Sequence, residues 1–128
     1  MASRNCPDEN GGFLQVSGLS YTIDTSVPTT VQTDEKGNFI KVGGAYRVTD
    51  IKVGAEALDV NKTYTVASHN YMLKSGGDGM TMFAGANITR DEVMTDVDIL
   101  SAYINTNLGG NVGADYGDPR GQGRITVK

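Results

Sequence analysis

Three glycines surround one acid in Gly76-Gly77-Asp78-Gly79, the stretch of this sequence best suited to meeting a ligand. Glycine opens backbone angles closed to other residues and lets a ligand approach the main chain. The carboxylate between them is an acceptor for hydroxyl or amide donors. The same four residues also read as a tight turn that ends a helix, with Gly76 as its C-cap, and pattern alone leaves both readings open. Phe13 and Tyr71 sit beside glycine-rich or polar segments rather than mid-strand. An aromatic ring so placed can stack a planar ligand for about 1–3 kcal/mol without any particular charge, although each taken singly also suits an ordinary core.

Other chemistries fit the residues poorly. A two-metal hydrolytic centre needs several His, Asp and Asn ligands, and this chain has one histidine, His69. No His-x-His, Cys-x-x-Cys or Gly-Asp-x-x-Asp pattern accompanies it, and a lone histidine beside a strand end suits a packed or hydrogen-bonded side chain. Cys6 lies in a polar leader, and no serine stands in a Gly-x-Ser-x-Gly elbow. Asp24, Asp59, Asp78, Asp96 and Asp98 fall on loops or helix starts, where acids are solvated or capping. The chain therefore offers binding rather than catalytic groups, and no catalytic or metal residue is assigned in it. Asn61-Lys62-Thr63 and Asn87-Ile88-Thr89 match glycosylation sequons, a pattern that also arises by chance.

A net charge of −4 repels an extended phosphate backbone, which excludes DNA and RNA as natural partners. A small ligand held by a few local donors and ring faces is not excluded by that charge. The single cysteine cannot form an intramolecular disulfide, no stretch approaches the roughly 20 apolar residues of a membrane span, and the first residues lack the apolar core of a signal peptide. With 128 residues there is enough chain for one core.

Short elements must position these groups. Residues 1–11 read as a polar, frayed leader, and 12–128 as a single domain. Phe13–Ser17 and Leu19–Asp24 are β-rich runs around a bend at Gly18, with Leu19, Tyr21 and Ile23 alternating against polar neighbours. Asp34-Glu35-Lys36-Gly37-Asn38 is turn chemistry inside a long hairpin or surface excursion. Arg47–Val53 and Tyr64–Ser68 read as neighbouring strands joined by a loop at Gly54–Asp59. From His69 to Lys74 the pattern turns helical and stops at the glycines. Asp91–Asn107 carries Val93, Met94, Val97, Leu100, Tyr103 and Ile104 on one helical face, its acids crowding the first half and Gly109-Gly110 ending it. A glycine-rich loop through Tyr116 and Pro119 leads to a last strand, Arg124–Val127. The expected fold is α+β, a mixed β-sheet with few helices.

Gly12-Phe13-Leu14-Gln15-Val16-Ser17-Gly18, Lys62-Thr63-Tyr64-Thr65-Val66-Ala67-Ser68, Asn70-Tyr71-Met72-Leu73-Lys74-Ser75-Gly76-Gly77-Asp78-Gly79 and Gly121-Gln122-Gly123-Arg124-Ile125 occur in an order that resembles the C-terminal domain of the 5'-nucleotidase family. That family includes UDP-sugar hydrolases, ecto-5'-nucleotidases and cyclic-nucleotide phosphodiesterase/3'-nucleotidases. The resemblance implies a C-terminal-domain fold of 5'-nucleotidase type and a substrate-binding role. Phe13 and Tyr71 would sandwich a nucleobase, Asp78 would accept hydrogen bonds from the ribose, Gly76 and Gly77 would leave room for the sugar, and Asn70 would flank the ring. It also implies a parent nucleotide phosphohydrolase, exported, with a divalent dinuclear metal site in an absent N-terminal metallophosphoesterase domain. Two departures stand out: Asn10-Gly11-Gly12 lacks the arginine that follows in the family's phosphate-holding segment, and the Tyr71-to-Gly76 spacing is one residue longer than in some members. The chain thus reads as a partial domain whose open strand edges favour homo-oligomers. The rival reading is a non-catalytic interaction or assembly module that keeps the fold without the ligand.

Overall fold

The computed structural model describes every residue except Ala2, Pro119, Arg120 and Gln122. The expectations for Pro119 and Gln122 lie outside the described residues. Two compact units make up the chain, one of Met1–Ala84 with Gln122–Lys128 and one of Gly85–Gly121.

The first unit is built on a four-stranded mixed sheet of order β5-β4-β1-β6, from β1 (Leu19–Ile23), β4 (Val48–Val53), β5 (Glu56–Ala57) and β6 (Ile125–Val127). β1 pairs antiparallel with β4, Leu19 opposite Val53 and Ile23 opposite Val48, and parallel with β6, Tyr21 opposite Ile125. The alternation of β1 decides its facing: Tyr21 and Ile23 go into the core, and Ser20 and Thr22, which alternate with them, lie on the other face. The register shifts between Ser20 and Thr22, where Asp50 takes a φ of 53°; the bulge therefore belongs to β4, and Gly18 makes a bend at φ 77°. The last strand is pinned at its end. Lys128 N–H donates to Ile23 O at 3.0 Å, its carbonyl accepts from Thr25 Oγ1 at 2.7 Å, and its Nζ lies 3.4 Å from Asp24 Oδ2.

A separate hairpin, β2 (Val31–Thr33) with β3 (Phe39–Val42), carries the turn read from Asp34-Glu35-Lys36-Gly37-Asn38. Asp34 Oδ1 accepts from Lys36 N at 2.9 Å and Asn38 N at 2.8 Å, which fixes the turn locally and explains why composition revealed it. These bonds also hold the Asp34 carboxyl below its usual range, the Asn38 side-chain amide first among the causes.

Two expected strands are not strands. Phe13–Ser17 runs as irregular chain, anchored where Phe13 N–H donates to Asn10 O at 2.9 Å and Tyr21 Oη to Leu14 O at 3.5 Å. Tyr64–Ser68 has strand composition but no ladder partner among the described residues; β5 takes the place beside β4, and residues 65–70 stay exposed. An extended segment without a partner gains none of the pairing that stabilises a strand. The leader is tied down. Ser3 is 7% exposed, and its carbonyl accepts from Arg47 Nη1 at 3.2 Å.

The core of this unit is small: Tyr21, Ile23 and Met80 are its buried apolar side chains, and Ile23 is fully enclosed. A short helix α1 (Asn70–Leu73) and two 3₁₀ turns, Gly77–Gly79 and Thr81–Phe83, pack beside it, with Thr81 Oγ1 donating to Phe39 O at 2.9 Å.

In the second unit the expected long helix is shorter, α2 (Asp96–Ala102), followed by a π-turn over Tyr103–Asn107. Thr95 explains the late start. Its hydroxyl accepts from Asp98 N at 3.2 Å and donates to Asp98 Oδ2 at 2.7 Å, an N-cap that starts the helix after Val93 and Met94, where the apolar pattern begins. Glu92, at a φ of 48°, stands outside any helix. Gly109 and Gly110, at φ of 62° and 81°, end the segment as their spacing predicts.

Candidate functional site: a glycine-flanked carboxylate beside two aromatic segments

α1 begins after His69, whose extended backbone serves as N-cap, and closes where Lys74 N–H donates to Asn70 O at 2.8 Å. Asn70 and Tyr71 therefore stand on its first turn, both exposed, with Tyr71 at 56%. The chain then reverses through the glycine loop. Gly76 sits in the left-handed region at φ 66°, and a Cβ there would lie 3.1 Å from Thr81 Cγ2. Gly77 is buried directly beneath the Tyr71 ring, and a Cβ on it would overlap three of the ring carbons. Gly79, at φ 78°, passes so close to the Gly37 carbonyl that no side chain fits. Each glycine thus answers a particular steric demand, and the loop is more than a helix stop.

Asp78 is the exception within the loop. It takes φ 54° and ψ 25°, a left-handed conformation that costs an L-residue about 1 kcal/mol, yet Asp rather than Gly occupies it. Its side chain is exposed and rests against Gly12: a Cβ on Gly12 would stand 3.1 Å from Asp78 Cγ and 3.2 Å from Oδ2. Gly12 is fixed by its own N–H, which donates to Asn10 Oδ1 at 3.1 Å, so Asn10-Gly11-Gly12 forms a turn that delivers the half-buried Phe13 next in the chain.

The fold consequently links the residues that the sequence singled out: Tyr71 to Gly77, Asp78 to Gly12, and Phe13 one residue on. Sequence reasoning missed Arg4, whose Nη1 donates to Asp78 O at 3.5 Å across 74 residues. No local signal in a leader could have found that partner. The cavity on the outer sheet face, about 180 Å³ and lined by Ser20, Thr22, Asp50, Lys52 and Arg124 among others, contains none of the six expected residues. Its one ring, Tyr21, is buried and presents no open face for stacking.

The family comparison bears on that surface. The model of the 5'-nucleotidase, C-terminal domain, matches residues 2–85. The chain belongs to this family. The match takes in Phe13, Asn70, Tyr71, Gly76, Gly77 and Asp78, includes the leader with Arg4, and ends where the first unit passes into the second. No curated protein and no solved structure matches the chain.

Among the described residues no group of three or more His, Cys, Asp or Glu is arranged to hold a metal ion. That donor set does not fit a dinuclear centre. No helix among the described residues is long and apolar enough to cross a membrane.

Proposed function

We propose that this chain is the nucleotide-recognising part of an exported, metal-dependent nucleotide phosphohydrolase. Phe13 and Tyr71 stack the base, Asp78 accepts hydrogen bonds from the two ribose hydroxyls, Gly76 and Gly77 keep side chains clear of the sugar, and Asn70 borders the ring. Hydrolysis of the phosphate ester belongs to a separate N-terminal metallophosphoesterase domain, and residues 12–128 serve as one partial substrate-binding domain. The observation that carries this reading is the left-handed Asp78 held between three glycines against Gly12: a carboxylate kept in an unfavourable backbone conformation, with room made around it, suits a fixed acceptor for a ligand.

Among the described residues no strand pairs with the outer edge of β6, which supports a homo-oligomer, because an edge strand leaves N–H and C=O groups open to another chain.

The test is nucleoside binding. Phe13→Ala and Tyr71→Ala should each weaken adenosine by about one stacking contact, 1–3 kcal/mol, read by amide NMR titration of the labelled protein. Unchanged affinity in both variants refutes the base sandwich and leaves the non-catalytic interaction module as the better reading.

A further inference from the structure

Residues 63–68 make no main-chain hydrogen bond to any described residue. Most main-chain groups of a folded unit find a partner within it, and here a continuous run is left to water. The composition of that run is a strand's. Tyr64-Thr65-Val66 is aromatic and β-branched, and no glycine, proline or charged residue interrupts 63–68. The Val66 side chain is 58% exposed, so the run shows apolar surface as well as unpaired backbone.

The same unit holds the complementary defect. β6 (Ile125–Val127) lies parallel to β1 at one side of the sheet: the Arg124 carbonyl accepts from Tyr21 N–H at 2.9 Å, and Lys128 N–H donates to Ile23 O at 3.0 Å. Main-chain groups point to alternate sides along a strand, so Ile125 and Val127 turn their N–H and C=O groups away from β1. No described strand meets them, and the Val127 side chain is 52% exposed. Edges are commonly blunted by a lysine or a proline, and Ile125–Val127 contains neither. A strand without a sheet and a sheet edge without a strand thus occur in one chain, unjoined within it. A second copy is the occupant that brings the missing half of each, and a two-fold pair satisfies both at once.

We propose that residues 64–68 of one copy add as a strand to the outer edge of β6 in a second copy, each copy giving one strand and receiving one. The inference rests on the homo-oligomer reading above and is independent of the nucleoside surface.

The experiment is analytical ultracentrifugation of the full chain from roughly 10 μM to 1 mM, a range suited to a small interface. The wild type should pass from monomer to dimer as concentration rises. Proline has no N–H: Thr65→Pro combined with Val66→Pro spoils the donor in either register, and Val127→Pro spoils the acceptor edge while leaving the β1 pairing intact. Each variant alone should associate at least about tenfold more weakly than the wild type. A mixture of the two should recover a hetero-pair, because one still gives a strand and the other still receives it. A wild type that stays monomeric throughout overturns the proposal together with the homo-oligomer. A dimer that survives in the donor variant overturns strand donation and leaves the homo-oligomer standing on another surface, and a mixture no more associated than its components overturns exchange between copies. If Val127→Pro does not fold, the concentration dependence of the wild-type amide spectrum decides: peaks from residues 63–68 and from Ile125–Val127 must shift together, and shifts confined to other residues refute the site.

Discussion

Gly77→Ala tests the nucleoside surface more sharply than removal of a ring. Gly77 is buried and has no positive φ, so its backbone accepts alanine; what cannot be accepted is the methyl, which would occupy the space of the Tyr71 ring. Ring and methyl cannot coexist in the observed rotamer. Because Tyr71 is 56% exposed, the ring can swing into solvent, and the fold should lose only about 1–2 kcal/mol, the lower part of the range for overfilling a packed position. Base binding should suffer more visibly. Loss of one stacking partner, about 1–3 kcal/mol, weakens adenosine roughly 5- to 150-fold. The assay is calorimetric or NMR titration of adenosine into the wild type, Gly77→Ala, Tyr71→Ala and the double variant. If the methyl acts through the ring, the double variant is no weaker than Tyr71→Ala alone, a strong departure from additivity. Wild-type affinity in Gly77→Ala, or full additivity of the two changes, refutes the reasoning that Gly77 exists to seat the ring.

Asp78→Gly should separate stability from recognition. Glycine takes φ 54° without the steric cost an L-residue bears, so the thermal midpoint holds or rises by a few degrees, while the preference for adenosine over deoxyadenosine falls about tenfold as the charged acceptor is lost. A retained preference would remove Asp78 from ribose recognition. Asp24 Oδ1 accepts from Ser26 Oγ at 2.6 Å and from Ser26 N at 3.0 Å, and Lys128 stands opposite; the hydroxyl bond is the largest cause holding this carboxyl below 3.8. A depressed folded pKa gives stability that is present above 3.8 and lost as pH falls through the folded value. The stability difference between wild type and Asp24→Asn should therefore be constant near neutral pH and shrink in acid, and a difference independent of pH would show that the ionised carboxylate contributes nothing.

Local chemistry was legible in the sequence and long-range partnership was not. The Asp34–Asn38 turn could be read because its acceptors and donors lie within four residues of one another. The alternation of β1 survived for a similar reason, since facing is a property of neighbours. Tyr64–Ser68 failed although its composition is as strand-like, because a strand is defined by a partner and β4 already has β5 on that side. The helix from Asp91 was overextended because apolar spacing ignores Thr95, whose hydroxyl supplies a competing start. Phe13, Tyr71 and the glycine loop were identified singly; what no pattern supplied was that Gly12 would meet Asp78 and that Gly77 would lie beneath Tyr71. Arg4 and Arg47 were invisible for the same reason, one meeting its acceptor across 74 residues and the other across 44.

The leader changes meaning once those two arginines are considered together. A polar stretch with little apolar surface has no hydrophobic reason to stay on the domain, yet Ser3 is buried and the family match begins at residue 2. Its attachment is polar at both ends of a short run: the Ser3 carbonyl takes Arg47 from the sheet, and Arg4 reaches the main chain of Asp78. Since Arg4 follows Ser3 directly, whatever strengthens the hold on Ser3 also steadies the donor that meets the left-handed Asp78. Such an arrangement suits a carboxylate that must keep its orientation in a strained backbone, because a hydrogen bond to the carbonyl of that residue favours one peptide orientation over the alternatives. The leader therefore bridges the sheet and the Gly76–Gly79 loop.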